Sequence, residues 1–138
     1  MYFNKIIPEL SVNNLENSIK FYKTIGFKIE YERLENKFVF LSLGEIQFML
    51  QEIGKGEKKW DVGKLEYPFG RGINFQLEVD DVDSIYDSLV KAGYKIAFEM
   101  EENWYRSGDE LLGNKEFLVQ DPDGYLLRFS EDLGSKEV

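Results

Sequence analysis

Apolar and polar residues alternate along residues 3–12, which predicts a β-strand with two different faces. Leu10 and Val12 fall on one face, and Ile7 and Glu9 fall on the other. Apolar residues then recur at helical spacing over residues 15–25, and Gly26 ends this run. The pattern predicts a strand followed by a helix that packs on the Leu10 face of that strand.

Three more strands are predicted after this helix, at about residues 28–34, 38–43 and 45–51. Asn13 and Asn14 are candidate N-caps for the helix. Residues 74–96 then repeat residues 7–29 without a gap, with Leu77 on Leu10. The chain is therefore predicted to contain two copies of one βαβββ module within a single domain spanning residues 1–138. Module one covers about 3–52, a connecting loop about 53–70, and module two about 71–133.

In the second module, the pattern predicts a strand at 73–79 and a helix at 82–92, capped by Asp80 or Asp81. Further strands are predicted at about 94–100, 115–120 and 125–130, with residues 101–114 as a loop and residues from 131 onward as a frayed tail. Residues 121–124 read Asp-Pro-Asp-Gly, which predicts a tight turn between the last two strands.

The predicted fold class is α+β: two tandem βαβββ modules form a curved mixed sheet around a cleft, with the helices on the outer face. The sheet face turned away from the helices carries amides, carboxylates, one arginine and a few apolar groups, which favours a ligand-binding cleft. This face is predicted to contain Ile7, Glu9, Ser11, Gln47, Met49, Gln51, Asn74, Gln76, Glu78, Leu126, Arg128 and Ser130.

The composition restricts the possible chemistry, because the chain contains no Cys and no His. It therefore has no disulfides, no thiolate nucleophile and no Cys- or His-based metal site. The formal net charge of -9 argues against nucleic acid and anionic membranes as partners. No signal-like or transmembrane run occurs, so we expect a cytoplasmic protein.

Two stretches, residues 10–27 and 115–129, resemble the vicinal oxygen chelate superfamily. This superfamily includes glyoxalases, extradiol dioxygenases, fosfomycin-resistance transferases and bleomycin-resistance proteins. The carrying motifs are Phe21-Tyr22 ahead of Gly26-Phe27, and the Asp-Pro-Asp-Gly turn at 121–124. The resemblance covers essentially the whole chain.

Metal-dependent members of that superfamily carry one ligand on each of four cleft strands. By the resemblance, these positions are Ile7, Met49, Asn74 and Arg128 here. Ile and Met offer no hard donor, and Arg is a permanent cation. The resemblance therefore implies a metal-free protein without a cofactor.

The metal-free branch, which includes the bleomycin-resistance proteins, implies an antibiotic-resistance protein that is a homodimer and binds a bulky cationic or planar compound without chemistry. Trp104, in the predicted loop, and Trp60 could stack on a planar ligand. The predicted ligand-binding residues are Ile7, Glu9, Gln47, Met49, Gln51, Trp60, Asn74, Gln76, Glu78, Trp104 and Arg128.

Two alternatives remain open beside binding. The chain could be an enzyme of the same superfamily with a non-standard site: a metal-dependent lyase or dioxygenase with unusual ligands, or a metal-free isomerase that uses Glu9 or Glu78 as a base. It could instead be a regulatory or scaffolding domain whose cleft no longer binds a ligand.

Overall fold

The computed structural model describes residues 2–57 and 60–138, which form two compact units, Met1–Phe69 and Gly70–Val138. Residues 58 and 59, within the predicted connecting loop, lie outside the described residues. The first unit contains β1 (Glu9–Val12), α1 (Leu15–Ile25), β2 (Lys28–Arg33), β3 (Phe38–Leu43) and β4 (Ile46–Glu52). The second contains β5 (Asn74–Glu78), α2 (Val82–Lys91), β6 (Ile96–Ser107), β7 (Glu110–Gln120) and β8 (Leu126–Glu137).

Each unit has the order β-α-β-β-β, which confirms the predicted α+β fold of two tandem βαβββ modules. The strands form two four-stranded sheets, one per unit, rather than one continuous sheet. Their strand orders are β1-β4-β3-β2 and β5-β8-β7-β6. In each sheet the first pair is parallel, and the other pairs are antiparallel. The sheets are therefore equivalent in topology, as the repeat in the sequence predicts.

Both helices begin at the predicted caps. The Asn14 side chain accepts a hydrogen bond from the Asn17 amide at 2.9 Å, and the Asp81 side chain accepts one from the Ser84 amide at 3.1 Å. Helix α1 ends at Gly26, whose φ of 123° suits a residue without a Cβ. The cap predictions are confirmed. Among the residues that the structure describes, no helix has the length and apolar character needed to cross a membrane.

Aromatic residues fill the space between each helix and its own sheet. In unit one, Tyr22 of α1 packs edge-on against Phe27 and Phe48, with ring centroids 5.3 and 6.0 Å apart. In unit two, Phe117 stacks on Phe129 at 5.5 Å. Burial of these rings supplies much of the apolar area that stabilises each unit. It also fixes which sheet face is turned away from the helix.

The start of the chain differs from the prediction of a strand over residues 3–12, because β1 begins only at Glu9. Residues ahead of it meet the side chain of Gln47 instead. The Gln47 amide donates to the Tyr2 carbonyl at 2.7 Å and accepts from the Asn4 amide at 2.8 Å. One side-chain amide therefore replaces the strand pairing that the alternating pattern suggested.

The predictions of a loop at residues 101–114 and of a frayed tail from residue 131 onward are both wrong. β6 and β7 continue through this region as a hairpin around Gly108, whose φ is 63°, and β8 pairs with β7 as far as Glu137. A strand is predicted from alternating apolar and polar residues, and these segments carry polar residues on both faces. The hydrophobic pattern therefore did not predict that β6, β7 and β8 extend this far.

Candidate functional site

The sheet face of unit two turned away from α2 carries a group of polar side chains on β5 and β8. The strand register pairs Gln76 with Arg128, and Glu78 with Ser130. Asn74 stands two residues before Gln76 and shares its face. The structure therefore brings together Asn74, Gln76, Glu78 and Arg128 of the predicted site, and all three β5 side chains are exposed.

Arg128 lies beside a buried carboxylate on β7. Arg128 Nη1 is 3.8 Å from Glu116 Oε2, and the two side chains are 35% and 11% exposed. Two amides hold Glu116: Asn103 donates to its Oε1 at 3.4 Å, and Asn114 donates to its Oε2 at 3.2 Å. The carboxylate therefore has a fixed position next to the guanidinium.

Glu116, Asn103 and Asn114 were not among the predicted site residues. Glu116 follows the parity of the ligand face, because Phe117 points to α2 and packs against Tyr86 at 5.3 Å. This parity was available from the sequence. Asn103 and Asn114 fell in the region predicted as a loop, where parity has no meaning, so no sequence signal marked them.

In unit one, the face turned away from α1 has a polar part on β1 and β4. The register pairs Glu9 with Met49 and Ser11 with Gln51. The Gln51 amide donates to the Asn36 carbonyl at 2.6 Å, so its orientation is fixed. Predicted residue Gln47 shares this face but is occupied by the start of the chain, and Ile7 precedes β1 and is half-buried.

The other part of that face, on β2 and β3, is aromatic. The predicted ligand face contained no residue of these two strands. Tyr31 stacks on Phe40 at 5.2 Å with an interplanar angle of 10°, and Phe3 meets Phe40 edge-on at 5.4 Å. Arg33 lies 4.1 Å above the centroid of the Phe38 ring. The aromatic side chains of this half of the face therefore pack against one another.

Beside the aromatic part, Ser42 donates to the Glu30 carboxylate at 2.6 Å. This hydrogen bond, with a smaller contribution from Lys28, holds the pKa of Glu30 below its usual value. The carboxylate at this edge of the face therefore remains charged near neutral pH.

A cavity of about 210 Å³ lies at the end of β1 and β4 in unit one. Its lining combines carboxylates, small residues and one indole. The lining residues are Glu9, Ser11, Gln51, Glu52, Ile53, Gly54, Gly56, Trp60 and Asp61. Three predicted site residues, Glu9, Gln51 and Trp60, meet in this cavity. Glu52 and Asp61 were not predicted, because their places depend on the path of the chain after β4.

Two contacts shape this cavity. Glu52 Oε1 accepts a hydrogen bond from the Leu15 amide at 3.0 Å, so this carboxylate is fixed at the start of α1. Gly56 approaches Gln51 so closely that a Cβ at this position would lie 2.8 Å from Gln51 Oε1. The first contact leaves Glu9 and Asp61 as the exposed carboxylates of the lining. The second places the Gly56 backbone against the Gln51 side chain, so a larger residue at 56 would displace that side chain.

Trp104 does not lie with Arg128. It belongs to β6 rather than to a loop, and its register partner is Gly113. A Cβ on Gly113 would lie 2.6 Å from the indole, so the ring rests directly on the β7 backbone. Residue parity places Trp104 on the sheet face that carries Lys115, which bonds Asp83 of α2 at 2.8 Å. The structure therefore corrects the prediction that Trp104 lies in a loop, and its stacking on a planar ligand stays a prediction.

The indole of Trp104 already has protein partners. Its Nε1 donates to Glu102 at 3.0 Å, and Lys136 Nζ lies 3.9 Å from the ring centroid. A cation at this distance interacts favourably with the ring face. These contacts therefore hold the ring against β7 and β8 of its own sheet.

The four positions where the superfamily resemblance places metal ligands do not fit a divalent cation. In unit one they are Ile7 and Met49, which have no oxygen or nitrogen in their side chains. In unit two they are Asn74 and Arg128, and a guanidinium repels a metal ion. Over residues 2–57 and 60–138, no group of three acidic side chains is gathered that could hold one.

The chain belongs to the glyoxalase/bleomycin resistance protein/dioxygenase superfamily, whose family model matches residues 4–129. A superfamily member from Vibrio splendidus is 32% identical over 91% of this chain and 95% of its own, with a TM-score of 0.45. No curated protein matches the chain.

Two further solved structures share the fold. A protein from the mobile metagenome of V. pseudocholerae is 19% identical, covers 95% of this chain and 96% of its own, and has a TM-score of 0.67. The bleomycin resistance determinant encoded on transposon Tn5 is 18% identical, covers 95% and 99%, and has a TM-score of 0.61. At these identities the similarity establishes the fold alone.

Proposed function

We propose that this chain is a metal-free binding protein that sequesters a planar organic cation in the acidic cavity of unit one. The observation that carries the proposal is the meeting of Glu9, Asp61 and Trp60 in one cavity. Among the described lining residues there is no Lys or Arg. Carboxylates attract a cation, and an indole face adds a cation–π contact of about 0.5–2 kcal/mol.

The size of the cavity limits the ligand. At about 210 Å³ it is smaller than the roughly 300–1,000 Å³ of sites that enclose drug-sized compounds. A single charged ring fits this volume, either as a small compound or as one part of a bulkier one. The bulky ligand expected from the resemblance would therefore place only its cationic ring in this cavity. Holding a toxic compound in this way would give the protein a role in antibiotic resistance.

The enzyme alternative finds less support in the geometry. Glu9 and Glu78 are both exposed, so neither carboxylate lies in the apolar enclosure that commonly prepares a carboxyl group to act as a general base. Binding without turnover therefore remains the proposal.

The binding test uses benzamidine, which is a planar cation near neutral pH, and benzamide as its neutral counterpart. Backbone amide resonances of Gly54 and Gly56, which line the cavity, report occupancy. We expect saturable shifts with benzamidine and none with benzamide. Trp60→Leu should weaken binding about fivefold, and Glu9→Gln with Asp61→Asn about thirtyfold, as about 1 kcal/mol per contact implies.

Glu45→Gln is the matched control, because it removes one exposed carboxylate from the turn between β3 and β4, away from the cavity lining. Its affinity for benzamidine should equal that of the unmodified protein. Equal shifts with benzamide and benzamidine would contradict the proposal. An equal loss in Glu45→Gln would mean that net charge, rather than the cavity, attracts the ligand.

We also propose that the protein works as a homodimer and without a metal, as the resemblance implies. Exposed apolar side chains on unit two, including Phe98, Tyr105 and Leu112, provide surface for self-association. A native mass spectrum should show twice the 16.2 kDa chain mass and no added metal. A stoichiometric divalent ion would refute the metal-free state, and a monomer at micromolar concentration would refute the dimer.

A further inference from the structure

The guanidinium of Arg128 makes no hydrogen bond to any residue within 2–57 and 60–138. Its nearest charged neighbour, Glu116 Oε2, is 3.8 Å from Nη1, which is too far for a hydrogen bond. Nε is buried and has no partner among the described residues. A guanidinium has five N–H donors in a planar fork, and proteins seldom leave such donors unused. The Arg128 guanidinium therefore has N–H donors that no described residue uses, and the partly exposed end of the side chain can offer them to a ligand.

Glu116 holds this arginine in place without using its donors. The carboxylate is bonded by Asn103 and Asn114, at 3.4 and 3.2 Å. These two amides fix Glu116 on β7, and its charge attracts the guanidinium without a direct hydrogen bond. Glu116 is therefore a positioning residue for Arg128.

Two amide side chains beside Arg128 are also available. Gln76 is the register partner of Arg128, on a neighbouring strand that lies about 4.8 Å away. Asn74 is next on the same face of β5. Both are exposed, and neither has a side-chain hydrogen bond within the described part of the chain. Together with the guanidinium they form a cluster of donors on one surface.

We propose that Arg128 and Gln76 form a binding site for an acyl oxygen of a small molecule, a carboxylate or a neutral amide carbonyl. The planar fork of Arg128 matches the planar geometry of such a group. Gln76 donates from the adjacent strand, and Asn74 extends the site. The Arg128 side chain is 35% exposed, so a ligand can reach it.

The surrounding charges exclude other ligand classes. A metal ion or organic cation is repelled by Arg128. A phosphate dianion is disfavoured by Glu116 and by Glu78, which follows Gln76 on the same face of β5. A neutral carbonyl adds no such repulsion, and a single carboxylate is repelled less than a dianion. The site therefore selects the oxygen of an acyl group.

The test titrates the full chain with benzoate and, separately, with benzamide, while the arginine Nε–H resonances are recorded by NMR. We expect the Arg128 Nε–H resonance to shift in a saturable way. Stronger binding of benzoate identifies a carboxylate ligand, and equal or stronger binding of benzamide identifies a neutral acyl group. Arg128→Lys, which keeps the charge and loses the fork, should weaken binding at least about tenfold.

Arg106→Lys is the matched control, because Arg106 is exposed and donates from Nε to the Gly108 carbonyl at the hairpin end. It should bind both compounds as the unmodified protein does. Gln76→Ala should weaken binding about threefold. Because Gln76 is exposed, this variant should fold, so it tests the proposed site even if Arg128→Lys does not fold. Unshifted Arg128 resonances, or full affinity in Arg128→Lys or Gln76→Ala, would overturn the proposal. The cavity of unit one is not involved, so either proposal can fail alone.

Discussion

Replacing Phe129 with Ala is expected to lower the free energy of unfolding by about 3–5 kcal/mol, the usual cost of removing a fully buried aromatic ring. Phe129 has no exposed surface and stacks on Phe117 at 5.5 Å, with an interplanar angle of 23°. It is also the neighbour of Arg128 on β8. The substitution should therefore loosen the strand that presents the proposed acyl-oxygen site.

Urea unfolding followed by circular dichroism measures this effect. Leu112→Ala is the matched control, since Leu112 lies on β7 of the same sheet but is 44% exposed. Its loss should be within about 1 kcal/mol, because little buried area is removed. If the two variants lose equal stability, the stacked pair is not the core of unit two.

Much of the second module could be predicted because its signals are local. The spacing of Val82, Ile85 and Leu89 defines the buried face of α2, and these residues are buried in the structure. Alternation along β5 and β8 placed Gln76 and Arg128 on one face, and the register pairs them. Periodicity therefore sufficed wherever one face of an element packs on a core.

The contacts that position the side chains of each site could not be predicted from periodicity. Glu116 is held by Asn103 and Asn114, which come from two strands joined by a hairpin that the pattern did not reveal. The position of Trp104 depends on Gly113, a residue whose lack of a side chain matters only once the strands are paired. Sequence periodicity indicates which face of a strand a side chain lies on, whereas these contacts depend on which residues the pairing of β6 with β7 places opposite each other.

The cavity of unit one was predictable only in part, for the same reason. Glu9 and Gln51 lie on paired strands, and parity placed them together. Trp60 and Asp61 come from the segment after β4, whose path no local pattern determines. Connecting segments of this kind commonly carry binding residues on a scaffold of regular structure.

Replacing Asp121 with Ala is expected to lower the free energy of unfolding by about 2–4 kcal/mol, because it leaves two buried amides without an acceptor. Asp121 Oδ1 accepts from the Asp123 amide at 2.9 Å and from the Tyr125 amide at 3.0 Å. The residue is only 3% exposed, so water cannot take the place of the carboxylate.

Asp121→Asn separates the acceptor from the charge, since an amide oxygen can still accept both hydrogen bonds. It should lose about half as much as Asp121→Ala, because bonds to a charged acceptor are roughly twice as strong. Asp109→Ala, at the exposed turn between β6 and β7, is the control and should change stability by less than about 0.5 kcal/mol.

The turn at residues 121–124 also fixes the start of β8, because the Asp121 amide donates a hydrogen bond to the Tyr125 carbonyl at 2.9 Å. Arg128 follows three residues later, so its register with Gln76 depends on the turn. Asp121→Ala should therefore weaken binding of the acyl probe as well as stability, whereas Asp109→Ala should change neither. A destabilised Asp121→Ala protein that keeps full affinity would show that pairing of β5 with β8 alone sets the register.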